Sequence, residues 1–214
     1  KASITDGVEV FKSNGIAGHL CKSDIIADGG NIIRLGYTTI MTSKVLEENY
    51  FRLPLSLLDE LSRSLSSDIV LLPWDASEIY GHSDGIVRIV DSSTVIMTNY
   101  SQFDKQMAAR FKKCLKVRFK NVRELTFLAD KPYKNNWAYI NWLETEKVLI
   151  LPKFNVCEDE QALRQIEKFF PSYKGRIEMV DATDLIRYEG CLNCASWVIN
   201  ETVIQEDAWL LTQY

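Results

Sequence analysis

The sequence predicts an α/β fold in which one unit, strand–strand–helix–strand, recurs about four times along 214 residues. Three observations carry that prediction. Pairs of β-rich stretches joined by short turns return at intervals of roughly 55 residues, each pair followed by a period-3.6 helix pattern and one more apolar strand. The composition, 46% hydrophobic and 25% charged, is that of a globular chain able to bury one sizeable core. Polar or reactive residues, namely Asp28, His82 with Asp84, Asn141 and Cys194, fall at one phase of successive units, where a first strand starts or ends. Units related by rotation would bring those residues to one axis. The repeat is one of pattern, without evident identity between copies, and the chain reads as a single domain over 1–214.

The elements follow in order. Residues 1–20 are mixed, with a short strand or helix expected around Val8 to Phe11. Ile25-Ile26-Ala27 reads as a buried strand entering Asp28-Gly29-Gly30-Asn31. Ile32 to Leu35, a Gly36-Tyr37 turn and Thr38 to Thr42 form a hairpin. Ser43 is the expected N-cap of a short helix. Leu57, Leu58, Leu61 and Leu65 share one face of a second helix, and Asp68 to Leu72 is a strand. The next unit has strands Ile86 to Val90 and Thr94 to Thr98, a helix Gln102 to Leu115 and a strand Glu124 to Leu128. The third has strands Trp137 to Leu143 and Val148 to Leu151, a helix Asp159 to Phe170 and a strand Arg176 to Val180. A last hairpin is expected from Ala195 to Ile204.

The formal net charge of −4 argues against nucleic acid or an anionic membrane surface as partner. The basic run from Lys105 to Arg123 sits on an amphipathic pattern and reads as a solvated helix face. No apolar run approaches the roughly 18 residues of a membrane span. Five cysteines without framework spacing argue against a disulfide scaffold. Cys191-x-x-Cys194 lacks the second pair or histidines of a zinc site, so neither metal nor other cofactor is expected. A cytoplasmic location is expected, with export the alternative if a signal peptide precedes Lys1.

The chemistry centres on Tyr80-Gly81-His82-Ser83-Asp84-Gly85. If the following apolar run begins a strand there, His82 and Asp84 face one cavity. Singly, each candidate has a plain reading: Asp28 and Asp84 as turn residues, Cys194 as an inert buried thiol. Together, a cysteine, a histidine and two carboxylates suit a planar cation. Carboxylates grip a guanidinium through paired hydrogen bonds, a thiolate attacks its carbon, and histidine serves the leaving ammonia and then the incoming water. Cys194 is then expected to be the fastest-reacting of the five thiols near neutral pH.

Five segments in order resemble the agmatine deiminase and bacterial (Porphyromonas-type) peptidylarginine deiminase family of the guanidino-group-modifying, or pentein, superfamily. They are Asp28-Gly29-Gly30-Asn31; Gly81-His82-Ser83-Asp84 with Arg88; Tyr139-Ile140-Asn141; Pro152-Lys153-Phe154 with Asp159-Glu160-Gln161-Ala162-Leu163; and Gly190-Cys191-Leu192-Asn193-Cys194. The resemblance implies a pentein-type α/β propeller of ββαβ modules, about four of them here and the N-terminal one lacking. It implies hydrolytic deimination of agmatine or of peptidyl-arginine. Cys194, His82 and Asp28 would be catalytic, with Asp84, Asn141, Arg88 and Asn193 on the substrate. The alternatives are a non-catalytic guanidinium-binding member and an amidinotransferase. The departures are Asp28 for the commoner Glu, Asn193 for the His before the nucleophile, and Cys191 for a glycine. The family's further guanidinium-binding Asp, in a W-x-R-D segment, has no counterpart. It is expected upstream of Lys1 or from a partner chain or second copy.

Overall fold

The computed structural model describes residues 9–10, 13, 23–78, 80–196 and 198. The elements expected at Val8 to Phe11 and at Ala195 to Ile204 fall mostly outside them. Residues 26–196 form one compact unit, and 1–25 with 197–214 a second.

Three hairpins set the frame of the first unit. Strand β1 (Ile33–Leu35) pairs antiparallel with β2 (Thr38–Thr42), with Ile33 opposite Ile40. Two helices follow, α1 (Lys44–Glu48) and α2 (Pro54–Leu65), and β3 (Asp68–Leu72) returns parallel to β2. The pattern recurs in β4 (Val87–Asp91), β5 (Thr94–Met97), α3 (Lys105–Leu115) and β6 (Asn121–Glu124). It recurs again in β7 (Leu143–Glu144), β8 (Leu149–Lys153), α4 (Glu158–Phe169) and β9 (Ile177–Asp181). Each sheet has three strands in chain order, the first pair antiparallel and the second parallel. The parallel step needs a crossover, and the helix supplies it. The described residues thus hold three ββαβ modules in separate sheets, not four, and no sheet among them closes on itself.

Helix chemistry matches the sequence. In α2, Leu57 and Leu61 face inward; in α3, Ala108, Phe111 and Leu115 do. Asp104 caps α3, its Oδ1 accepting from the backbone N–H of Gln106 at 2.8 Å and of Met107 at 2.9 Å. The lysines and arginines of that region point mostly to solvent. Ser43 does not cap α1: its Oγ accepts from the Trp74 N–H and ties the start of α1 to the end of β3. No helix among the described residues is long and apolar enough to cross a membrane.

The strand expected at Glu124 to Leu128 lies earlier, at Asn121–Glu124, where it pairs with β5. Two further expectations fail in an instructive way. Ile25-Ile26-Ala27 forms no strand, and most of Trp137 to Leu143 is a 3-10 turn, Asn136–Ile140, with only Leu143–Glu144 extended. Ala138, Tyr139, Ile140 and Trp142 are fully buried, and an apolar run buried on every side carries no period to mark it as strand or turn. The same device precedes β1, as Gly29–Asn31, and β4, as Ser83–Gly85. The second of these three 3-10 turns touches both of the others.

The third module is held at the mouth of α4 by Asp159. Its Oδ1 accepts from the Tyr139 hydroxyl at 2.6 Å and the Phe154 N–H at 2.9 Å, and its Oδ2 from the Val156 N–H at 3.1 Å. Burial, then this carboxylate, push the Tyr139 phenol well above its ordinary pKa. Asp159→Ala leaves three donors without acceptors, each orphaned buried group costing about 1–3 kcal/mol. Urea unfolding should show a loss of about 3 kcal/mol or more, with Asp159→Asn retaining part of it.

Candidate active site

The 3-10 turns deliver the polar side chains to one cavity of about 880 Å³. Asp28, Gly30, His82, Asp84, Trp137 and Cys194 are among its walls. His82 and Asp84 do not stand on a strand, as the sequence predicts, but on and just before the turn Ser83–Gly85. They converge all the same. A methyl group on Gly30 would lie 2.9 Å from His82 Nδ1 and 3.0 Å from Asp84 Oδ2, so that glycine lets both side chains sit over the first turn. Gly81 has φ +57°, and a side chain there would collide with the Trp74 indole.

Asp84 is 2% exposed. Its Oδ2 accepts from Asn193 Nδ2 at 2.9 Å and lies 3.4 Å from Cys194 Sγ. Asp28 lies across the cavity floor with Oδ2 2.9 Å from His82 Nε2, so the shorter carboxylate still reaches the ring.

Three residues expected on the substrate stand behind the wall instead. Arg88 gives its Nε to the Ile140 carbonyl and its Nη2 to the Trp142 carbonyl, both at 2.9 Å, and lies over the Trp142 ring. Asn141, fully buried, accepts through Oδ1 from the N–H of Asn193 at 3.1 Å and of Cys194 at 3.2 Å, and donates to the Asp84 carbonyl at 3.3 Å. Asn193 spends its amide on Asp84. Arg88 therefore fixes the loop that carries Asn141, and Asn141 fixes the turn that carries Cys194.

The family model of the Porphyromonas-type peptidyl-arginine deiminases matches the chain over residues 5–199. The chain belongs to that family. Its fold is similar to that of a C. jejuni agmatine deiminase, at 23% identity and TM-score 0.70 over 88% of this chain and 60% of that one. It is likewise similar to an Enterococcus faecalis agmatine deiminase, at 18% identity and TM-score 0.69 over 87% and 60%. An amidinotransferase from Microseira wollei is more distant, at 14% identity and TM-score 0.53 over 81% and 45%. The chain thus spans about 60% of the length of the two deiminases. Comparison with curated protein sequences gives no significant match.

Two contributors in this family member went unread in the sequence. Asn31 is fully buried, and its Oδ1 accepts from the Thr42 N–H at 2.8 Å and the Ser83 N–H at 3.3 Å, joining the first turn to the second. Lys44, on α1, places Nζ 2.9 Å from both Asp28 Oδ2 and His82 Nε2. It also pairs with Glu48 at i and i+4, the only local mark it leaves. Among the described residues no group of three or more His, Cys, Asp or Glu is placed to hold a metal ion.

The electrostatics divide the site in two. Burial works against ionising Asp28, but Lys44 and then His82 outweigh it and hold its carboxyl below the usual value. Burial, then the Asp84 carboxylate, hold the Cys194 thiol above its usual value, and burial drives Cys191 up to about 12. Burial and the Asp84 charge thus oppose ionisation of Cys194 near neutral pH. Alkylation by iodoacetamide, followed at Cys194 by peptide mapping, should be slow at pH 7 and climb above pH 9. Asp84→Asn removes the opposing charge, and the rate at pH 7.5 should rise about threefold for each unit the thiol pKa falls.

Proposed function

We propose that this chain hydrolyses a guanidinium group to a urea and ammonia through a covalent adduct on Cys194. One observation carries the reading: Asp84 is a buried carboxylate on the cavity wall, beside the thiol and without an ion-pair partner among the described residues. A buried charge is costly unless paired, and a planar guanidinium is the cation a carboxylate holds best.

The steps follow from the geometry. A guanidinium entering beside Asp84 cancels the charge that opposes the thiolate, so binding favours transfer of the thiol proton to His82. The sulfur bonds to the guanidinium carbon and the C=N electrons move to nitrogen. His82 gives a proton to the nitrogen that departs as ammonia, which leaves a thiouronium. His82 then takes a proton from water as the water oxygen bonds to the same carbon. The C–S bond breaks and the added hydroxyl gives up its proton to the departed ammonia, releasing the urea product, ammonium and the thiolate. Asp28 orients the ring and balances its charge. The modules are read as consecutive blades round the cavity.

The substrate is read as a small guanidine with a second cationic end, of the agmatine class, in preference to peptidyl-arginine. Glu78 and Glu189 also line the cavity. Burial, then Asp75 and Glu189, hold the Glu78 carboxyl above its usual value, and a distal ammonium would relieve that crowding. Two solved structures of similar fold are titled agmatine deiminases.

Ammonia release from agmatine tests the proposal. Cys194→Ala should lower it at least about 10³-fold. Glu78→Gln should raise KM for agmatine several-fold and leave KM for an N-acylarginine amide unchanged. Release that survives Cys194→Ala overturns the mechanism; saturable agmatine binding without release identifies a binding protein.

A further inference from the structure

Lys44 is an unlikely cation for its place unless it has a task. It begins α1, the end of a helix where positive charge is unfavourable. Its side chain is only 15% exposed, and lysine loses solvation and rotamer freedom on burial. Yet its ammonium meets three acceptors, Asp28 Oδ2, Glu48 Oε1 and His82 Nε2, each at 2.9 Å. Burial lowers the proton affinity of this amine, but Asp28 and Glu48 more than restore it. Lys44 is absent from the cavity wall, so it reaches the pair from behind.

The consequence lies in a triangle. Lys44 Nζ, Asp28 Oδ2 and His82 Nε2 are mutually 2.9 Å apart. With Nε2 unprotonated, the ammonium donates to both Asp28 and the ring. As the imidazolium, with both nitrogens protonated, the ring donates its Nε2–H to Asp28 but confronts the ammonium as a like charge at the same distance. Protonation therefore turns one attractive edge into a repulsive one while the Asp28 edge gains. The other groups facing the ring do not remove this opposition: Asp84 meets it across Gly30 with Cys194 beyond, Tyr80 lies against it at 5.7 Å between centroids, and Glu48 acts through Lys44.

We infer that Lys44 is a positioning residue that sets how readily His82 takes up a proton, opposing Asp28 so that the imidazole can both give and accept one in a single turnover. The need for both directions rests on the deimination reading; the opposition itself does not.

The test is an NMR titration of His82 in the full chain. There are only two histidines, so His19→Gln identifies the signal. Lys44→Met leaves Asp28 unopposed, and the His82 curve should move to higher pH. Lys44→Arg keeps the charge and should hold the curve near the wild type. Glu48→Gln leaves the ammonium less compensated and should move the curve to lower pH. Circular dichroism on each variant confirms folding. Opposite displacements in Lys44→Met and Glu48→Gln support the inference, because a packing role moves both alike or neither. A Lys44→Met curve that coincides with the wild type, or falls below it, overturns it. With agmatine, the alkaline limb of kcat in Lys44→Met should follow the NMR shift while KM stays near the wild-type value. If the wild type releases no ammonia, the deimination reading fails, and the titration still decides the role of Lys44.

Discussion

The site depends on keeping one carboxylate out of water. Asp84 is almost wholly buried, and a lone charge in that position would normally be protonated or matched. Here it is held by neutral donors, the Asn193 amide and the Cys194 thiol, with its own backbone carbonyl pinned by Asn141. Those donors come from a turn more than a hundred residues away, and that turn is fixed through its backbone N–H groups to Asn141. Asn141 is held in turn because Arg88 grips the carbonyls on either side of it. The guanidinium of Arg88 is spent on backbone rather than on Asp84 directly, so the carboxylate stays open to a cation from the cavity. Loss of any member loosens a run that joins the second module to the third and both to the turn that carries Cys194.

The two acids of the site show how environment divides labour. Asp28 is about half exposed at its side chain and has Lys44 and His82 against it; it stays ionised and acts on the ring. Asp84 is buried without an ion pair among the described residues, the Arg88 guanidinium acting on it only from behind the wall, and it faces the cavity and the sulfur. Carboxylates a few ångströms apart can serve distinct ends when their surroundings differ this far. Three-residue turns make the division possible. Along an extended strand, alternate side chains point the same way and stand in a row. Over a tight turn, His82 and Asp84 both look into the cavity, yet one leans toward Asp28 and the other toward Cys194.

The sequence reports the module pattern well because that pattern is set by local chemistry: hairpin turns, the Asp104 cap, leucines at helical spacing. It also brings Asp28, His82, Asp84 and Cys194 together, since reactive residues at one phase of a repeat share an end of it. It fails where burial is complete. The run from Trp137 to Leu143 is apolar whether strand or turn, and three-dimensional packing decides. It assigns Arg88, Asn141 and Asn193 to the substrate because polar residues near a motif suggest contact, whereas each satisfies backbone or a neighbouring side chain. Lys44 escapes for the opposite reason: its helical pairing with Glu48 is real, but the third hydrogen bond, to a residue 38 positions on, leaves no local trace.

The raised proton affinity of Cys194 fits this balance and gives the cavity an order of events. On the proposed deimination reading, its acids, Asp28, Asp84, Glu78 and Glu189, favour the entry of cations, and Asp84 opposes the thiolate until one arrives. The protonated thiol is the less nucleophilic form, which also resists oxidation and alkylation. A site that kept a thiolate permanently beside a buried carboxylate would have two unpaired charges to solvate and no water to do it. Coupling the second charge to the arrival of the first counter-charge is the lower-energy solution, and it makes the ligand a condition of reactivity.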